Sequence, residues 1–85
     1  MSFVLSNHAR SQMNLRGLTE DVINNILENP LEIKTLNDRQ VYQGTYVALG
    51  KQYLVRIFVN HLTEPNIVIT VYRTSKISKY YEGDL

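Results

Sequence analysis

The residues best suited to chemistry sit near the two ends of this 85-residue chain. Near the start, His8, Gln12 and Arg16 recur every fourth residue, so a helix there would carry them as one stripe. Histidine titrates near neutral pH and is the usual proton shuttle when a 2′-hydroxyl must lose a proton and a leaving oxygen gain one. An arginine two turns away is suited to a phosphate oxygen. Near the other end Arg73, Lys76 and Lys79 are spaced by three, among the hydroxyls of Thr70, Tyr72, Thr74, Ser75, Ser78, Tyr80 and Tyr81. Cations there could neutralise charge developing on a phosphorane, and a tyrosine hydroxyl could orient a phosphate. The combination is the equipment of metal-independent RNA cleavage, provided the fold unites the ends. His61, the other histidine, falls in a turn-like stretch and is read as incidental.

Charge distribution supports a polyanion more than net charge does. The formal net charge is only +1. Residues 1–18 hold Arg10 and Arg16 and no acid, and residues 65–81 hold Arg73, Lys76 and Lys79 and no acid. The acids Glu20, Asp21, Glu28, Glu32 and Asp38 cluster in between. Such asymmetry focuses a polyanion onto one side of a small domain. The chain contains no cysteine, which excludes disulfides and thiolate metal sites and fits a cytoplasmic location. The two histidines are far apart and the carboxylates lack ligand spacing, so neither a metal nor another cofactor is expected. No apolar run approaches the length of a membrane span, and the first residues lack the pattern of a signal peptide.

The elements that must position these residues follow from caps and periodicity. Ser6 is placed as an N-cap and Gly17 as a left-handed helix end, with Leu5, Ala9, Met13 and Leu15 on the apolar side. A second helix starts after Thr19, favours Glu20 and Asp21 in its first turn, packs through Val22, Ile23, Ile26 and Leu27, and stops at Asn29-Pro30. Strands are predicted at Glu32–Leu36, Val41–Val47, Gln52–Val59 and Ile67–Thr74, with a Gly-containing hairpin loop over Ala48–Lys51. The chain thus reads as a single α+β domain over residues 1–85, with two N-terminal helices on one face of an antiparallel sheet of three to four strands. Period 2 assigns Tyr53, Val55, Ile57, Val59, Ile67, Ile69 and Val71 to the helix-covered face. The opposite face receives Leu54, Arg56, Phe58, Val68, Thr70, Tyr72 and Thr74, with Tyr42 and Tyr46 beside them, a surface able to stack bases and hold phosphates.

His8-Ala9, Met13, Arg16-Gly17-Leu18-Thr19, the helix ending in Asn29-Pro30 and the strand Ile69-Thr70-Val71-Tyr72 together resemble a family of small bacterial proteins known as domain of unknown function 4258. The resemblance spans roughly residues 5–75. Gln12 stands where family members often have a second arginine. The family is similar to the RelE/BrnT-like and contact-dependent toxin ribonucleases, compact α+β domains that cut RNA without metal. The resemblance implies roles for His8 and Arg16 on the first helix and for Thr70 and Tyr72 on the last strand. Arg56, Arg73, Lys76 and Lys79 enter from the residue pattern alone, as nucleic-acid ligands.

The expected function is therefore a metal-independent RNA endonuclease or toxin-like RNA-binding domain. His8 would act as acid or base, Arg16, Arg56 and Arg73 as phosphate ligands, and Thr70 and Tyr72 as orienting groups. Its partners would be RNA and a protein such as an antitoxin or a second copy of the chain. The alternative is a catalytically inert interaction or oligomerisation module, pairing through its tyrosine-rich face or an open sheet edge.

Overall fold

The structure, a computed structural model, describes residues 3–82. The first helix forms as its caps predict. Ser6 Oγ accepts the Ala9 N–H at 3.0 Å, and Gly17 closes α1 (Asn7–Arg16) at φ 65°. Thr19 caps α2 (Glu20–Glu28) by accepting the Val22 N–H. Ala9 and Met13 of α1, and Ile23, Ile26 and Leu27 of α2, are buried. Leu15, assigned to the same apolar side, is 78% exposed.

The sheet corrects the expected layout. It has five strands, is mixed rather than antiparallel, and runs in the order β1-β5-β4-β3-β2. The strands are β1 (Phe3–Leu5), β2 (Glu32–Leu36), β3 (Arg39–Ala48), β4 (Lys51–Asn60) and β5 (Asn66–Thr74), and a third helix, α3 (Ile77–Tyr80), follows them. Strand β1, absent from the expectation, lies parallel to β5 with Leu5 beside Val68. A three-residue strand carries too little alternation to be seen, and its long-range partner leaves no local mark. The four-residue α3 is likewise too short to show a helical period.

Strands β2 to β5 form an antiparallel meander. The turn between β3 and β4 is Leu49-Gly50, both at positive φ (53° and 75°), the requirement of a tight two-residue hairpin that follows the sheet's twist. It sets Tyr46 directly opposite Tyr53. Pairing of β4 with β5 shifts where Phe58 faces Thr70 while Val59 faces Val68, leaving Ile69 as an extra residue. An extra residue inverts the side-chain parity of everything before it. Val68 therefore joins the core in place of Ile67 and Ile69. The Ile69 carbonyl instead accepts Ser6 Oγ at 3.2 Å, and Ser6 N–H donates to the Val68 carbonyl, anchoring the start of α1 on β5.

The core lies between the helices and one sheet face: Ala9, Met13, Leu18, Ile23, Ile26, Leu27, Tyr42, Val55, Ile57, Val59, Val68 and Val71. Tyr42 and Tyr46, assigned from sequence to the far face, belong to this side, with Phe3 meeting Tyr42 edge-on at 5.6 Å. At Gly44 the backbone comes so close to α2 that a Cβ would stand 2.8 Å from Ile26 Cγ1 and 2.9 Å from Cγ2. Ile26 is β-branched and buried, so it has little room to yield. Gly44→Ala is expected to cost about 2 kcal/mol. In an Ile26→Ala background, chemical denaturation should show that cost largely gone, because the offending methyls are absent.

Candidate functional site

The predicted site residues divide between the two faces of the sheet. Directly opposed pairing lines up Glu32, Gln43, Arg56 and Tyr72 across β2, β3, β4 and β5, on the face away from α1 and α2. Their side chains bond in the same order. Gln43 Nε2 donates to Glu32 Oε1 at 2.7 Å, Arg56 Nε donates to Gln43 Oε1 at 2.6 Å, and Arg56 Nη1 donates to the Tyr72 hydroxyl at 2.6 Å. The α3 segment closes over this row. The Tyr80 ring stands 4.3 Å from the Arg56 guanidinium, and the Tyr80 carbonyl accepts from Lys34 Nζ at 2.9 Å and from Gln43 Nε2 at 3.3 Å. Phe58 and Tyr72 flank the same guanidinium.

Arg56 is consequently only 7% exposed and Gln43 fully buried. A phosphate cannot reach Arg56 while Tyr80 covers it, and the Tyr72 hydroxyl is engaged by Arg56. Thr70 lies on this same face, opposite Phe58. The second face is therefore covered rather than open; Val41 and Leu54 on it are fully buried. Around Tyr80, hydrogen bonds from Lys79 and Tyr72, then the positive charges of Lys79 and Arg56, draw its phenol below the usual value.

The helix-bearing face carries a different cluster. Arg73 sits directly opposite Val55, and its guanidinium lies 4.4 Å from the Tyr53 ring, with Nη1 donating to the Tyr46 hydroxyl at 3.2 Å. Tyr46 and Tyr53 stand ring beside ring at 6.2 Å, and the Lys51 ammonium lies 5.8 Å from Tyr53. Arg73, Tyr46 and Tyr53 are half-buried, and among the described residues no carboxylate pairs with Arg73 or Lys51.

Helix α1 lies over β5 on this face. Its Arg10 flank is tied to α2 by a 2.8 Å ion pair with Glu20. The His8, Gln12 and Arg16 stripe runs along the other flank, with His8 exposed and Gln12 and Arg16 half-buried. Lys76 and Lys79 belong to the C-terminal segment, where Lys79 stands 5.3 Å from the Tyr80 ring. The predicted set is thus brought together as two groups. Arg56, Thr70 and Tyr72 share one face, whereas Arg73 shares the other with α1. Among the described residues, no group of three His, Cys, Asp or Glu side chains could hold a metal ion, and no helix is long and apolar enough to cross a membrane.

Sequence reasoning left Tyr53 and Lys51 out of the site and put Tyr46 on the opposite face. The signal was present: a two-residue turn at Leu49-Gly50 fixes which residues oppose across the hairpin, and so pairs Tyr46 with Tyr53.

The family model for Domain of unknown function (DUF4258) matches residues 5–73. The chain belongs to the DUF4258 family. The matched span takes in α1, α2 and the whole of the Arg73–Tyr46–Tyr53 cluster, while α3 with Lys76, Lys79 and Tyr80 falls beyond it. No curated protein and no solved structure matches this DUF4258 chain.

Proposed function

We propose that this DUF4258 protein is a metal-independent RNA endonuclease, or a toxin-like RNA-binding domain, similar in kind to the RelE/BrnT-like ribonucleases. One observation carries the reading: the Arg73 guanidinium, held on Tyr53 and the Tyr46 hydroxyl without a carboxylate partner among the described residues. An arginine fixed by rings rather than neutralised by an acid keeps its charge for a phosphate. Half-exposed tyrosine rings beside it suit stacked bases. On this reading Arg73 and Arg16 hold phosphate oxygens, Lys51 adds to the local field, and His8 moves a proton. In the reaction a ribose 2′-oxygen gives up its proton and bonds to phosphorus, the bond to the 5′-oxygen breaks, and that oxygen takes up a proton.

Binding tests it first. Fluorescently labelled single-stranded RNA should bind the protein at low salt with an affinity that falls steeply as salt rises. Arg73→Glu, at a half-exposed position, should weaken that affinity by at least about tenfold and flatten the salt slope. Equal affinity in the folded variant and wild type would remove Arg73 from the interface. A second reading, the protein-interaction module, draws on a separate feature, the open edge at β2.

A further inference from the structure

Strand β2 (Glu32–Leu36) is an outer strand of the sheet and carries exposed apolar side chains. Leu31 and Ile33 are each 47% exposed. Leu36 and Arg39 close the two-residue turn at 37–38, so Leu36, Lys34 and Glu32 exchange backbone hydrogen bonds with β3. The N–H and C=O of Ile33 and Thr35 then point outward, a ready template for another strand.

The order of side chains says which strand fits. Pairing β2 antiparallel with itself about Ile33 puts Ile33 against the partner's Ile33 as a hydrogen-bonded pair, in phase with the free N–H and C=O. The same register sets Glu32 opposite the partner's Lys34, and Lys34 opposite the partner's Glu32, on the face away from the helices. A strand with an acid and a base placed symmetrically about an apolar residue is complementary to its own copy. On the helix-bearing face the two isoleucines meet beside a groove lined by Ile33 itself with Phe3, Leu27, Glu28, Pro30 and Tyr42. A register slipped by one residue would lose both charge pairs and turn the isoleucine to the wrong face.

We propose that β2 is the interface of a homodimer in which two copies pair antiparallel about Ile33 and join their five-stranded sheets into one. The contact is small, so association in the micromolar range is expected.

Sedimentation velocity across micromolar to millimolar protein tests it, with circular dichroism confirming the fold of each variant. Wild type should rise from monomer to twice the monomer mass. Ile33→Pro removes an outward N–H together with the isoleucine side chain at the centre of the pairing while leaving the bonds of β2 to β3 in place, which an edge strand tolerates, and should stay monomeric. Glu32→Lys and Lys34→Glu each set like charges across the axis, and each also breaks a bond within the chain, Glu32 to Gln43 or Lys34 to the Tyr80 carbonyl. In variants whose circular dichroism matches wild type both should weaken association by about tenfold, whereas the double swap E32K/K34E should restore it. A wild type that stays monomeric throughout overturns the proposal, and so does a dimer that survives Ile33→Pro. Single reversals without effect, or a swap that fails to restore association, overturn the register about Ile33.

Discussion

With EDTA present, wild-type protein should cut a mixture of structured and single-stranded RNA into discrete products, and His8→Ala should slow that cutting at least about 100-fold. His8 lies in the first turn of α1, exposed, with its backbone set by the Ser6 cap and its side chain free of the core. Alanine there removes the imidazole without opening a cavity or leaving a buried polar group unpaired, so loss of activity would report chemistry and not unfolding. Arg16 sits two turns along the same stripe, in the last turn of α1. Arg16→Ala should also lower the rate, but by acting on phosphate charge rather than on proton transfer. A thermal melt on both variants should stay within about 0.5 kcal/mol of wild type, as expected for side chains outside the core. Cutting that persists unchanged in both variants would sink the catalytic assignment.

Arg56→Ala should behave in the opposite way, with a large loss of stability. Arg56 is 7% exposed, and its guanidinium bonds to Gln43 and Tyr72 and is enclosed by the Phe58, Tyr72 and Tyr80 rings. Removing it leaves the fully buried Gln43 Oε1 without its donor and the Tyr72 hydroxyl without its partner. It also removes the surface on which Tyr80 rests. Unpaired buried groups and the lost ring contacts together come to about 3 kcal/mol. For a domain of this size that is a fall in melting temperature of roughly 15 °C. Arg56→Lys should recover little, since an ammonium cannot bond Gln43 and Tyr72 in one plane while stacking on a ring. A variant that loses under about 1 kcal/mol would mean the row from Glu32 to Tyr72 does not hold this face together.

Arg73 and Arg56 show where sequence sufficed and where it did not. Local chemistry was legible: Ser6, Thr19 and Gly17 read as caps because each supplies or relieves a backbone group at a helix end, and they do so here. The cation-rich end was also legible, and Arg73 remains in the candidate site. Its surroundings were not. The extra residue at Ile69 inverts parity along β5, so counting by twos gave Val68 to the wrong face. Tyr42 and Tyr46 were misassigned for a related reason, because only the pairing of β3 with β4 says which parity faces the helices. Arg56 looked like an open cation because nothing in periodicity foretells that a short C-terminal helix folds back to lay Tyr80 over it. The parallel β1, paired across more than sixty residues of chain, was beyond local pattern altogether.

On the proposed function, RNA lies on the helix-bearing face, between α1 and the Arg73–Tyr46–Tyr53 cluster. Titrating isotope-labelled protein with a short single-stranded RNA while following its backbone amides by NMR tests this most directly. Shifts concentrated at His8, Gln12, Arg16, Tyr46, Lys51, Tyr53 and Arg73, with Thr70, Tyr72 and Tyr80 quiet, are the predicted result. Shifts confined to the Arg56, Tyr72 and Tyr80 face, or no shifts at saturating RNA and low salt, would contradict it.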